Sequence, residues 1–126
     1  MKQLILLVSA LFFFQITNAQ KKEWPEKDAF HKVMSTTFHP SEEGNLEPIK
    51  TRSGEMVTAA KAWMDSNVPE GFEQKGLKKK LKLLYKESVA LDKMIKKGAT
   101  DDQIKKSLSA LHDRFHQIVE LCMDKH

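Results

Sequence analysis

The stretch Leu108-Ser-Ala-Leu-His-Asp-Arg-Phe-His-Gln-Ile-Val-Glu-Leu-Cys122 carries the clearest helical pattern in this chain. Its apolar residues recur at three- and four-residue intervals, which predicts a helix that buries one side against other helices. The pattern begins with Ile104, one turn before this stretch, and continues with Leu108, Leu111, Phe115, Ile118, Val119 and Cys122. At about 100° per residue, His112 lies roughly 60° and His116 roughly 100° from the centre of this stripe. We therefore expect His112 to point towards a core and His116 to lie along its edge.

The spacing of these two histidines has two interpretations. Imidazoles at positions i and i+4 project from one face of a helix and can hold one metal ion between them. The same spacing is compatible with a hydrogen-bonded core histidine beside a solvated one, because spacing alone names no metal. Both interpretations remain open at this point.

The first 19 residues have the features of a signal peptide. Lys2 supplies a positive charge, residues 4–14 form an apolar run, and Thr17-Asn-Ala19 fits a small-residue cleavage site. The apolar run is too short for a stable membrane anchor. We predict cleavage after Ala19, export to the periplasm or beyond the cell, and one domain over residues 20–126 with no membrane association afterwards.

The net charge and the cysteine content limit which partners the chain can bind and which bonds can stabilise its fold. The net charge of +4 is only mildly basic, and together with export it argues against nucleic acid as a partner. Several lysines cluster between Lys75 and Lys82 and are typical of the solvated face of an amphipathic helix. Cys122 is the only cysteine, so no intramolecular disulfide can form and packing must hold the fold.

The periodicity predicts an all-α fold of four helices. The predicted helices span residues 26–38, 45–66, 72–97 and from 100 onwards. Pro40 should end the first helix, and Gly98 is a natural left-handed end for the third. Thr100-Asp-Asp-Gln103 is typical of a capping box at the start of the fourth. Short connections between four helices imply an antiparallel up-down-up-down four-helix bundle.

Such a bundle places the first and fourth helices side by side and antiparallel. If His31 lies level with His116, then Met34 or Ser35 lies level with His112. This register makes His31, Met34, His112 and His116 neighbours, and His39 near the end of the first helix joins the candidate site. Each also has an ordinary explanation: Met34 as core filler, His31 as a half-exposed polar residue, and His39 as a cap for the last carbonyls.

The stretch Leu108-Ser-Ala-Leu111-His112-Asp-Arg-Phe115-His116 resembles the C-x-x-C-H-D-x-F-R haem-attachment segment of the cytochrome c-prime family. The resemblance is loose and covers about residues 26–122. Leu108 and Leu111 stand in place of the two haem-linking cysteines, which excludes covalent attachment. The soluble b-type cytochromes with the same bundle need no cysteines, and the resemblance implies that His112 and Met34 could take the roles of their axial ligands.

These observations lead to two hypotheses of function. In the first, an exported bundle binds a cofactor without covalent attachment. The cofactor is either haem b, held by His112 and Met34, or a bare transition ion, held by His31, His112 and His116 with help from Met34 or His39. Copper, zinc, nickel and iron all suit imidazole, and we favour the bare ion because a single haem leaves several histidines unexplained. Electron transfer would follow only for haem or copper.

The second hypothesis is a cofactor-free exported binding or stress-related module on the same fold. Enzyme function is not expected, because the chain shows no nucleophile-base-acid pattern, no glycine-rich phosphate loop and no Glu-x-x-His di-iron motif. Pairing of two copies through the early helices, as a homodimer, remains open in either case.

Overall fold

The computed structural model describes residues 23–72 and 75–123, and the regular structure in this part of the chain is entirely helical. The four helices are α1 (Pro25–Glu42), α2 (Glu47–Asp65), α3 (Leu77–Lys96) and α4 (Asp101–Met123). Each helix packs on the next, and α1 packs on α4, which closes the bundle. The predicted all-α four-helix bundle is therefore confirmed. The predicted signal peptide, residues 1–19, lies outside the described residues.

Helix α1 is longer than the sequence predicts, because it does not end before Pro40. The helix continues through this proline to Glu42. Proline removes only one helical hydrogen bond, and here it does so in the last turn. The final carbonyls are then satisfied locally: the amide of Asn45 donates to Pro40 at 2.9 Å and that of Gly44 to Ser41 at 3.0 Å. Gly44, at φ 91°, makes this left-handed turn without strain.

Helix α3 is shorter than predicted, because it begins at Leu77 and not at Phe72. Gly71 and Gly76 adopt φ values of 98° and 88°, which lie outside the right-handed helical region. Phe72 lies before the helix and packs against Trp24, with ring centroids 5.5 Å apart. The predicted start at Phe72 is therefore five residues too early, and Phe72 belongs to the loop before the helix.

The junction between α3 and α4 agrees with the sequence. Gly98 is left-handed at φ 83° and follows the last turn of α3. The backbone amide of Thr100 donates to the Gln103 side chain at 3.0 Å, and the Gln103 amide donates to the Thr100 hydroxyl at 3.2 Å. This reciprocal pair is the predicted capping box. The boundary is decided locally, which is why the sequence located it correctly.

The core is a single cluster of apolar side chains drawn from all four helices and the segments between them. Its largest fully buried members are Trp24, Trp63, Phe30, Met34, Ile49, Met56, Leu77, Leu81, Leu84, Leu91, Ile104 and Leu108. No helix within the described residues is long and apolar enough to cross a membrane.

Two polar contacts join neighbouring helices at the edge of this core. The Ser53 hydroxyl on α2 donates to Asp92 on α3 at 2.7 Å. Arg114 on α4 makes a two-pronged contact with Glu87 on α3, at 3.0 and 2.8 Å. Bidentate guanidinium-carboxylate pairs fix orientation as well as distance. These contacts therefore help to set how α2, α3 and α4 face one another.

Adjacent leucines on α3 provide a test of which face enters the core. Leu84 is fully buried, whereas Leu83 is only half-buried. We expect Leu84→Ala to lower the free energy of unfolding by about 2–5 kcal/mol, because it leaves a cavity among packed side chains. Leu83→Ala should cost clearly less. Urea unfolding of the two variants checks this, and equal losses would contradict the packing.

The contact between Ser53 and Asp92 predicts a pH dependence of stability. The Ser53 hydroxyl, and next the Lys96 ammonium, hold the pKa of Asp92 below its ordinary 3.8. Because the folded-state pKa is the lower one, the contact stabilises the protein above the ordinary value, and this contribution is lost as the pH falls through the folded-state value. We expect Ser53→Ala to cost about 1–3 kcal/mol near neutral pH and markedly less in strong acid.

Ser88→Ala is the matched control for this prediction. Ser88 is also buried, but its hydroxyl donates to the Leu84 carbonyl of its own helix and to no carboxylate. Its cost should therefore be independent of pH. Urea unfolding at neutral and acidic pH compares the two variants. A Ser53→Ala cost that stays constant into strong acid would show that the contact does not depend on the Asp92 charge.

Candidate metal centre

A cavity of about 270 Å³ opens between α1 and α4. Its lining residues are His31, Met34, Ser35, Phe38, His39, His112, Phe115 and His116. All five predicted site residues are among them. The antiparallel packing of α1 on α4 thus brings together the side chains that the assumed register places level with one another.

His112 and His116 form the closest pair in this cavity. Their Nε2 atoms lie 3.2 Å apart, and the ring planes meet at 76°. A tetrahedral ion with metal-nitrogen distances of about 2.0–2.1 Å holds two nitrogens about 3.3 Å apart. The observed separation equals this spacing within a tenth of an ångström or so. It is also the length of a hydrogen bond between two neutral imidazoles, so the pair suits either a shared proton or a shared cation.

His112 is half-buried and held by an aromatic neighbour. Its ring stacks on Phe38 with centroids 3.8 Å apart and planes within 4°. Burial, and then the nearby imidazole of His116, lower the pKa of His112 from its ordinary 6.5. The imidazole is therefore predominantly neutral near pH 7, and one ring nitrogen keeps the lone pair that a metal requires. His116, by contrast, is exposed. His112 is thus the more buried of the two, as their angles from the apolar stripe predict.

The two histidines of α1 lie at the outer part of the cavity. His31 is exposed and its ring stacks on Phe115, with centroids 5.4 Å apart. The side chain of His39 is 68% exposed, and its Nδ1 lies 3.4 Å from a carboxylate oxygen of Glu42. Neither imidazole is enclosed by the core.

Met34 forms the inner wall, at 1% exposure. It is the soft, uncharged ligand among the candidates, because a thioether sulfur is polarisable and carries no proton to lose. None of the eight lining residues is an acid. Asp113 and Glu42 are near enough to oppose the lowering of the His112 pKa, but they do not line the cavity.

No three of the histidine, cysteine, aspartate and glutamate side chains in residues 23–72 and 75–123 converge on one metal-holding position. The site as it stands therefore offers two converging imidazoles, with further donors around them. An ion held by this pair would need a third ligand, and the lining residues that could supply one are Met34, through its thioether, and His31, after a change of rotamer. The donor set suits a transition ion better than a hard cation, which requires several oxygens.

The sequence did not reveal the aromatic support of the imidazoles. Phe38 is an apolar residue of α1, and its ring covers one face of His112. The assumed register could have predicted this contact. It places Met34 level with His112, and Phe38 lies one helical turn beyond Met34. Phe115 does the same for His31. Stacking depends on rotamers that a residue pattern does not specify.

Comparisons with family models, with curated proteins and with solved structures found no match to this chain. The resemblance to the cytochrome c-prime family therefore stays a prediction, which is carried by the short stretch around His112 and is compatible with the four-helix fold.

Proposed function

We propose that this chain is an exported four-helix bundle that binds one transition-metal ion through His112 and His116, with Met34 and His31 as further ligands. The observation that carries the proposal is the 3.2 Å separation of the two Nε2 atoms at the wall of a cavity lined by the other predicted ligands. Its role would be metal handling, or electron transfer if the ion is copper. Export and cleavage after Ala19 belong to the same proposal and rest on the sequence.

Packing around His112 favours a bare ion over haem. Phe38 covers one face of the imidazole at van der Waals distance, and the cavity of about 270 Å³ is smaller than the usual range for organic ligands, about 300–1,000 Å³. A haem with His112 and Met34 as axial ligands would require a wide apolar slot, larger than this cavity. A single ion requires only the space between the two imidazoles.

The second candidate is the cofactor-free binding module, which is favoured by two observations. The core packs continuously from its own side chains, as a fold without a prosthetic group would require. A separate, largely apolar groove of about 470 Å³ runs between α1 and α2 and is lined by Ala29, Val33, Gly54, Glu55, Thr58, Ala59 and Ala62. In this case the protein would bind a partner molecule in this groove rather than a metal ion between α1 and α4.

Metal titration of the purified protein distinguishes these candidates. We expect one ion per chain. His112→Gln and His116→Gln should each lower the affinity by at least about 10–100-fold, because even the loss of a residue that only hydrogen-bonds to a metal ligand has an effect of this size. His126→Gln is the control, since this histidine is outside the proposed ligand set. Elemental analysis and an absorption spectrum of protein purified without chelator complete the measurement.

Thermal unfolding provides an independent readout. An ion that binds only the folded chain stabilises it by about 2.7 kcal/mol at a hundred times its Kd, and His116→Gln should abolish the shift. A Soret band that is lost in His112→Gln would instead establish non-covalent haem. If neither metal nor haem binds, and chelator leaves the melting temperature unchanged, the cofactor-free module is the better account.

A further inference from the structure

The chemistry of the cavity wall distinguishes among the ions that imidazole alone would accept. The wall combines converging imidazoles, a deeply buried thioether and two phenylalanine rings, with no acid among its residues. We infer that the ion selected by this site is copper(I), with the sulfur of Met34 as the ligand that completes the His112 and His116 pair. This inference rests on the proposed function and specifies its ion.

The first argument is the softness of the ligand. Thioether and thiolate sulfur select copper(I), zinc and iron-sulfur clusters, whereas imidazole accepts zinc, copper, iron and nickel alike. Met34 lines the same cavity as the imidazole pair and is only 1% exposed, so a thioether shielded from solvent is available to an ion held there. An uncharged sulfur attracts zinc far less than a thiolate does, which leaves copper(I) as the ion suited to all three donors.

The second argument is charge. The cost of moving an ion out of water rises with the square of its charge; the lone pairs of the ligands offset part of it, and nearby opposite charges offset more. The lining residues of this cavity include no carboxylate that could supply such a charge. A divalent ion would therefore keep its full charge in a partly buried site, whereas copper(I) carries half of that charge. Asp113 and Glu42 lie outside the lining, and Glu42 is near His39 at 3.4 Å.

The third argument concerns the arrangement of the donors. The imidazole pair on α4 is held at metal spacing by one helical turn, and Phe38 restrains the His112 ring. His31 is exposed at the mouth. Three donors, two nitrogens and one sulfur, are enough for a copper(I) ion, and a fourth is not needed from the solvent side. The mouth then remains the route by which the ion enters or leaves.

Cys122 is the other sulfur that could compete for copper(I). It is buried, and burial raises the pKa of its thiol above the ordinary value. A thiol, unlike a thiolate, is a poor metal ligand. Cys122 follows His116 on α4 at a distance of about 9 Å along the helix axis, and it is not a lining residue of the cavity. Cys122→Ala should therefore leave copper(I) binding unchanged.

The experiment measures copper(I) and zinc(II) affinities under reducing, oxygen-free conditions, by competition with a chromophoric chelator for each ion. Met34→Leu replaces the thioether with an apolar group of similar volume, which a core tolerates well. We expect copper(I) affinity to fall by at least about tenfold and zinc(II) affinity to stay within about twofold. Met56→Leu is the matched control, since Met56 is equally buried but belongs to α2 and does not line the cavity.

X-ray absorption at the copper edge tests the same contact with Met34 left unchanged. The copper(I)-loaded Cys122→Ala protein should show one sulfur neighbour and two nitrogen neighbours. Absence of a sulfur neighbour, or equal copper(I) affinities for Met34→Leu and Met56→Leu, would overturn the inference. Zinc binding that still depends on His112 and His116 would in that case support the proposed metal site without its preference for copper(I). Failure of either ion to bind the unmodified protein would overturn both.

Discussion

The contact on which the rest of the structure depends is a triangle of aromatic rings from three helices. Phe30 of α1, Trp63 of α2 and Phe115 of α4 have centroids 5.6–5.9 Å apart, the spacing at which tilted and edge-on rings attract. All three are buried. Because large rings in contact leave little freedom to slide, this triangle fixes the height of α1 relative to α4, and thereby the register of every residue between them.

This packing also includes a polar atom that lacks a partner. Among the side chains in the described part of the chain, the Nε1 atom of Trp63 is the buried polar atom without a hydrogen-bond acceptor, whereas that of Trp24 donates to Ser66 at 2.8 Å. An unsatisfied buried donor costs about 1–3 kcal/mol. The large apolar area that a tryptophan ring buries offsets this cost, so the position of the ring is decided by shape rather than by its N–H group.

The histidine cluster follows from the aromatic triangle. Phe115 contacts Phe30 on one side and stacks on His31 on another, and it lies between His112 and His116 in sequence. The rigid part of the site is therefore on α4, where helical spacing sets the two imidazoles. Helix α1 contributes Met34 from within and His31 from outside. A site built in this way can keep its shape with or without an ion, because its supports belong to the core.

An uncharged ligand set has a further consequence for specificity. Raw affinity for nitrogen ligands favours copper(II) over nickel and zinc, so a preference for another ion or oxidation state has to come from geometry and ligand type. In the proposed site, the elements that would discriminate are a buried sulfur and the lack of acids among the lining residues. The proposed preference for copper(I) thus uses residues that an all-purpose histidine site would not require.

The sequence by itself determined the helices and several of their ends. The Thr100 to Gln103 capping box and the left-handed Gly98 depend only on adjacent residues, so a local pattern was sufficient. The apolar stripes and the short connections also determined the bundle, since four amphipathic helices of this length have few other ways to bury one face each. The same reasoning predicted that α1 and α4 run antiparallel side by side, and with an assumed register it grouped His31, Met34, His39, His112 and His116, which line one cavity in the structure.

The tertiary structure decided what depends on packing. Helix α1 continues through Pro40 because the following turn satisfies its last carbonyls, and α3 starts late because Gly71 and Gly76 take left-handed conformations; neither outcome is fixed by apolar spacing. Rotamers and ring stacking placed Phe38 over His112 and brought the two Nε2 atoms to 3.2 Å. A sequence pattern specifies which face a side chain occupies, but contact distances arise only when neighbouring helices compete for the same space.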